Sequence, residues 1–187
     1  MSALEFEDLD RRQDRTRTAI RRAFLSLLFE NNYPAVTMAA VAERANVGRS
    51  TLYEHFRTKD DLFRDTVRVP MSGLAELVDT DTLPEPFGEL LQHFRDNQAL
   101  GRVLVYLPAY GSMQKVLAEL IETRLGKSDL MPASLVATQI AAAQFAILTP
   151  WILGQVALLP AVLAEALHRS SRAMAGAYSA ATRPKSS

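Results

Sequence analysis

The chain has 187 residues, 48% of them hydrophobic and 22% charged, with 21 Lys and Arg against 21 Asp and Glu and no cysteine. That size and composition fit one soluble globular domain or two small ones, and the missing thiols exclude disulfide frameworks, thiolate zinc sites and cysteine catalysis. A formal net charge of zero, taken as a sum, argues against a strongly basic nucleic-acid binder.

In chain order the charge is uneven. Residues 1–14 carry Glu5, Glu7, Asp8, Asp10 and Asp14 against Arg11 and Arg12. With no apolar run they are expected to form a flexible acidic arm, not a secretory signal. Residues 15–59 hold eight cations (Arg15, Arg17, Arg21, Arg22, Arg44, Arg49, Arg57 and Lys59) against Glu30, Glu43 and Glu54, a local +5. Ile20, Ala23, Phe24, Leu27 and Leu28 recur at helical spacing and make an apolar stripe. Asn31 to Pro34 stops that helix, because Asn tolerates a left-handed cap and Pro34 disfavours helix at Tyr33. Thr37 is placed to cap a short helix over 38–45. Asn46-Val47-Gly48 is turn chemistry: Asn46 suits positive φ, and Gly48 can cap a second short helix over 49–56. Thr58 with Asp61 three residues on reads as a capping box opening a third helix to about Val69, which Pro70 should end or kink.

The breakers from Asp79 to Pro86 mark a linker. Beyond it the pattern predicts helices at about 86–97, 98–107, 113–126, 133–155 and 161–180, with Ser112 as cap of the one at 113. From Leu130 to Ala164 no residue is charged over 35 positions, long enough to raise a membrane span. Gln139, Gln144, Pro150, Gly154, Gln155 and Pro160 interrupt it, and no basic flank sets an orientation. A buried or subunit-joining helix is the better expectation, and no membrane partner is expected. No run of six residues alternates as a strand would. The predicted fold class is all-α: an arm at 1–14, a three-helix domain at 15–69, and a helical domain at 70–187.

Two short helices joined by a three-residue turn have the dimensions of a helix-turn-helix. Val41, Ala42, Ala45, Val47, Leu52 and Phe56 would pack them together. The second helix is left with Arg49, Ser50, Thr51, Tyr53, Glu54 and His55 on its outer faces. Arg can bond guanine edges in pairs, Ser and Thr hydroxyls reach bases or phosphates, and Tyr and His suit phosphate oxygens.

Residues 15–69, through Arg17, Ala23, Leu27, Tyr33, Thr37 to Ala42, Ala45 to Phe56 and Lys59 to Leu62, resemble the DNA-binding domain of the tetracycline-repressor (TetR) family. That family's turn and recognition helix commonly read Ala-Gly-Val-Ser-x-Gly-Thr-Leu-Tyr-x-His-Phe, followed by Lys-(Asp/Glu)-x-Leu. Ala45, Val47, Thr51, Leu52, Tyr53, His55, Phe56, Lys59 and Leu62 match, while Asn46, Gly48 and Ser50 stand where Gly, Ser and Gly are usual. The resemblance implies that Thr37, Tyr53, His55 and Lys59 hold phosphates, and that Arg49, Ser50 and Thr51 face bases or nearby backbone. It also implies a cytoplasmic homodimer on a near-palindromic double-stranded DNA operator, joined through the last two helices (about 133–155 and 161–180). Such a protein is most often a repressor released by a small-molecule effector in its C-terminal ligand-binding and dimerisation domain. Arg102, Tyr106, Tyr110, Gln144 and Trp151 are the candidate ligand contacts. The helix at 59–69 and the break at Pro70 are the expected coupling between the modules.

Enzyme motifs are weak. Ser112 and Lys115 make a lone Ser-x-x-Lys without partner motifs, and His93 and His168 lack metal-ligand spacing. No catalytic residue, metal ligand or cofactor is expected. A helical small-molecule-binding or scaffold protein without operator binding stays open as the alternative.

Overall fold

The computed structural model describes residues 3–31, 33–96, 107–127 and 130–178. Among them the chain forms eight α-helices and no strand: α1 (Ala3–Glu30), α2 (Met38–Arg44), α3 (Arg49–His55), α4 (Lys59–Glu76), α5 (Glu85–Asp96), α6 (Leu107–Glu122), α7 (Ala133–Ile152) and α8 (Pro160–Tyr178), with a 3-10 turn at Tyr33–Ala35. It divides into two compact units, Met1–Thr66 and Val67–Ser187. The helix predicted at 98–107 lies outside the described residues.

Three expectations give way. The proposed arm is not set off from the first helix, because α1 runs unbroken from Ala3 to Glu30 and its sequence contains no glycine or proline to interrupt it. Pro70 does not end its helix: α4 continues through it to Glu76. Proline removes one helical hydrogen bond, but Val67, Met71, Leu74, Ala75 and Val78 carry a buried stripe straight past it, and burial of that face outweighs the lost bond. Ser112 does not cap a helix either, since α6 already begins at Leu107. Pro108 sits in its first turn, where a missing N–H costs nothing.

In the first unit, Ile20, Phe24, Leu27 and Leu28 of α1 are buried together with Val41, Ala42, Leu52, Phe56, Leu62 and Phe63. The rings of Phe24, Tyr33 and Phe63 meet edge to face, with centroids 5.4 to 6.5 Å apart, the geometry that ring quadrupoles favour. In the second unit, Val136, Ile140, Phe145, Leu148 and Trp151 of α7 are buried, as are Leu163 and Leu167 of α8. Polar ties fix the α4–α5 connection there. The Thr80 carbonyl lies 2.9 Å from His168 Nε2 and accepts from Arg172 Nη1 at 2.6 Å. Since a carbonyl only accepts, His168 carries its proton on Nε2.

Two helices end by the same device. After α2, Val47 N–H donates to the Ala42 carbonyl (3.0 Å) and Asn46 N–H to that of Glu43 (3.1 Å), with Asn46 at φ 53°. After α7, Gln155 N–H reaches Pro150 (2.9 Å) and Gly154 N–H reaches Trp151 (3.0 Å), with Gly154 at φ 71°. Both are Schellman caps, which need one left-handed residue and take Gly or Asn there.

Candidate nucleic-acid interface

The turn between α2 and α3 is built by the residues that its sequence singled out. Thr37 caps α2, its Oγ1 accepting from Ala40 N–H at 3.2 Å, which still leaves its hydroxyl proton free to donate. Gly48 is the N-cap of α3 in extended backbone (φ −62°, ψ 147°) and offers no side-chain bond to the helix. A side chain there would meet only Thr51 Oγ1 at 3.6 Å and Ser50 Oγ at 3.7 Å, ordinary contacts. The glycine is therefore not forced by space. Thr58 and Asp61 cap α4 reciprocally: Thr58 N–H donates to Asp61 Oδ2 and Asp61 N–H to Thr58 Oγ1, both at 3.0 Å, a complete capping box.

With this frame in place, Leu52 and Phe56 point into the core of the unit. Arg49, Ser50 and Glu54 are exposed, Thr51 and His55 are half-buried, and Tyr53 is 51% exposed. A large aromatic left half in water on a seven-residue helix is suited to contact another surface. Six of the seven proposed DNA contacts, Thr37, Arg49, Ser50, Thr51, Tyr53 and His55, thus retain some exposure at the turn or on α3. Lys59, half-buried like Thr51 and His55, lies instead at the start of α4. Its ammonium donates to the Tyr33 carbonyl at 2.9 Å and to the Val36 carbonyl at 3.0 Å, and stands 4.4 Å from the Tyr33 ring centroid. Two of its three donors are engaged inside the unit, so the side chain acts as an internal staple with one donor left for the phosphate contact that the resemblance implies. Burial, followed by the neighbouring charge of Asp60, raises the Tyr33 hydroxyl above its ordinary value, keeping the ring neutral beneath that cation.

The other cations divide in the same way. Arg17 grips both carboxylate oxygens of Asp65 through Nε and Nη2 and lies 5.5 Å from the Phe56 ring centroid. The hydrogen bond to Asp65 raises the Arg17 pKa against the opposing effect of burial. Arg21 approaches the same carboxylate at 3.7 Å. Arg44 makes a two-bond fork to Glu30 at 2.6 and 2.8 Å and bonds Ser26 at 2.7 Å. These pairs tie α4 and α2 to α1. Arg22, Arg49 and Arg57 are exposed and make no ion pair among the described residues. Arg57 belongs to the basic stretch of residues 15–59. It follows α3 directly, between Phe56 and the Thr58 cap, and is a further cation beside that helix.

The Glu30–Arg44 fork carries a pH signature. The Arg44 hydrogen bond holds the Glu30 carboxyl down at about 2, from an ordinary 4.5. A carboxylate depressed on folding contributes stability that is fully present above its unfolded pKa and is lost as pH falls through the folded one. The strap is thus intact at neutral pH and opens between roughly pH 4.5 and 2. Glu30→Gln is expected to remove that part of the acid transition, seen as a flatter dependence of urea midpoint on pH below 4.5. An unchanged profile would show the fork to be idle.

In the second unit the ligand candidates scatter. Arg102 and Tyr106 lie outside the described residues. Tyr110 packs edge-on against Phe145 at 5.1 Å. Trp151 donates from Nε1 to the Leu158 carbonyl at 2.8 Å, and with Arg95 it borders an open cleft of about 400 Å³. Gln144 is buried, its Nε2 bonded to the Leu74 carbonyl (3.1 Å) and Ser171 Oγ (2.8 Å). A separate apolar cavity of about 30 Å³ is lined by Leu74, Phe87, Leu91, Met113, Phe145 and Leu148 among others. Sequence reasoning missed it because residues of this type read as ordinary core. The one available signal was Phe87, Leu90, Leu91 and Phe94 at helical spacing on a short helix.

Comparison with known proteins agrees with this geometry. Residues 20–66 match the family model described as bacterial regulatory proteins, tetR family. The chain is 32% identical over 78 residues, 41% of its length, to the uncharacterized HTH-type transcriptional regulator YxbF of Bacillus subtilis, of whose length it spans only 20%. The structure of a TetR transcriptional regulator from Streptococcus agalactiae is similar at TM-score 0.56 and 25% identity, covering 88% of this chain and 98% of that one. The dihydroxyacetone kinase operon activator DhaS has the same fold at TM-score 0.52 and 19% identity, with 88% and 98% covered. The helix-turn-helix at residues 20–66 is thus similar to that of the tetR family of bacterial regulatory proteins.

Proposed function

We propose that the chain is a DNA-binding transcriptional regulator that occupies a palindromic operator as a homodimer, acts as a repressor, and is released by a small-molecule effector. It carries no catalytic role and works in the cytoplasm, where bacterial operators are. The observation that carries this reading is α3 itself: its Leu52 is locked into the core while Arg49, Ser50 and Tyr53 remain exposed. Arg49 with Ser50 and Thr51 would read base edges. Thr37, Tyr53, His55 and the unpaired Arg57 would hold phosphates. Dimerisation is supported by α7, which has no charged residue and only 44% of whose most apolar stretch is buried. The effector would act by binding one conformer more tightly than another, and its effect is bounded by that difference. The sign of regulation does not follow from the fold, since DhaS, a named activator, has it too; the family's usual behaviour supports repression.

Selection of bound duplexes from a random pool, at moderate salt and with a verified dimer, tests the reading. The expected product is a palindrome whose half-sites lie about one helical turn apart, roughly 34–36 Å. Recovery of no palindrome would sink it. Arg49→Ala should then relax preference at one position in each half-site and cost roughly 1–3 kcal/mol; an unaltered preference refutes the base-reading role. A reporter behind the selected site is expected to be silenced, and activation there would reverse the sign.

A further inference from the structure

The open cleft of about 400 Å³ in the second unit has Trp151, Ile152, Val156, Leu158 and Leu159 on its wall, and among the described residues Arg95 is its one charged member. The loop that follows α7 is held in place by its own hydrogen bonds. The Leu158 carbonyl accepts from Trp151 Nε1 at 2.8 Å, and the Pro150 carbonyl accepts from Gln155 N–H at 2.9 Å and Val156 N–H at 3.3 Å. The Thr149 and Trp151 carbonyls are paired with Leu153 and Gly154 N–H as well. Val156, Leu158 and Leu159 are nevertheless exposed, so the cleft keeps apolar surface against water. Arg95, in the last turn of α5, is exposed and makes no ion pair among the described residues. The carboxylate next to it in sequence, Asp96, accepts from Gln92 Nε2 at 2.9 Å.

Size separates this cleft from the apolar cavity, which at about 30 Å³ holds little more than a water. About 400 Å³ lies within the roughly 300–1,000 Å³ of small-molecule sites. We infer that the cleft binds an amphipathic monoanion, with its hydrocarbon body against Trp151, Leu158 and Leu159 and its one carboxylate on Arg95. For any regulatory role this rests on the effector proposed above; the binding itself does not. The hydrocarbon body removes exposed Leu and Val surface from water, and the guanidinium fork pairs with both oxygens of a carboxylate. A cation meets the like charge of Arg95, and a neutral chain gains nothing from it. Because Arg95 is exposed, water screens the pair, and the preference for the anion is modest, about three- to tenfold.

Octanoate, 1-octanol and octylammonium carry one chain with three head groups. Each is titrated into full-length, DNA-free protein by calorimetry and by the emission of Trp151, the one tryptophan in the chain. Octanoate is expected to bind and to change that emission, octanol to bind about three- to tenfold more weakly, and octylammonium more weakly still. Arg95→Glu should reverse the order and place octylammonium above octanoate. Arg95→Gln should level octanoate with octanol, and it carries the test if the glutamate variant does not fold. Ala157→Phe, at an exposed position on the same wall, should obstruct all three. Equal affinities for octanoate and octanol, an order unchanged by Arg95→Glu, binding without a change at Trp151, or no binding at all (as when a second copy covers the loop) overturns the inference. Operator release is measured separately on the selected duplex. Binding in the expected order without release upholds the site and fails the effector role, whereas release by octanoate that persists in Arg95→Glu fails the site alone.

Discussion

Lys59→Met is expected to lower unfolding free energy by roughly 1–3 kcal/mol and to weaken operator binding, while leaving the dependence of affinity on salt almost unchanged. The reasoning starts from the two carbonyls that its ammonium serves, Tyr33 at 2.9 Å and Val36 at 3.0 Å. Methionine fills the same space but donates nothing, so both acceptors lose their partner in a half-buried setting. The cation–ring contact with Tyr33, 4.4 Å to the centroid, is lost as well. The segment thereby loosened, residues 33–36, leads directly into Thr37, which caps α2. DNA affinity would fall through poorer placement of α2 and α3, not through a missing phosphate contact. Each phosphate contact removed lowers the salt slope by about one. Urea denaturation and a salt series of operator titrations therefore decide the matter. Stability unchanged with a slope reduced by about one would return Lys59 to the phosphate role that the resemblance implied.

The same distinction explains what the sequence could and could not tell. Local chemistry was legible: Thr37, Asn46, Gly48 and the Thr58–Asp61 box each act through atoms within a few residues, so spacing alone identifies them. Partnership across the chain was not. Of the eight cations in residues 15–59, Arg17, Arg21, Arg44 and Lys59 are committed to Asp65, Glu30 and backbone carbonyls, and nothing in their spacing distinguishes them from Arg15, Arg22, Arg49 and Arg57, which make no ion pair among the described residues. The local +5 thus overstates the charge offered to DNA, and leaves discrimination more to base contacts. Pro70 does not end its helix for a related reason. A local breaker was outweighed by a buried face that only the folded second unit supplies. The apolar cavity stayed hidden because Leu, Phe and Met at helical spacing signify burial whether or not the packing closes over them.

Ala146→Glu is expected to abolish dimerisation at micromolar concentration and to weaken operator binding by roughly 10²- to 10⁴-fold, with no loss of monomer fold. Ala146 is exposed on α7, so in a lone subunit the new carboxylate stays in water and glutamate keeps good helix propensity. In a dimer packed through α7 and α8, the two copies bring two like charges into an apolar interface, where each lacks a partner. The surrounding surface is consistent with being covered: Leu135 on α7 is 56% exposed and Val162 on α8 is 52% exposed, on a stretch without any charge from Leu130 to Ala164. Operator loss follows from geometry, since two half-sites held by one dimer bind as a linked pair, and separate subunits forfeit that effective concentration. Ala146→Ser, small and neutral, should retain both properties and controls for the helix surface. Sedimentation equilibrium reads the mass and a far-ultraviolet melt reads the fold. A glutamate variant that still sediments as a dimer and still binds the operator tightly would place the interface elsewhere on the second unit.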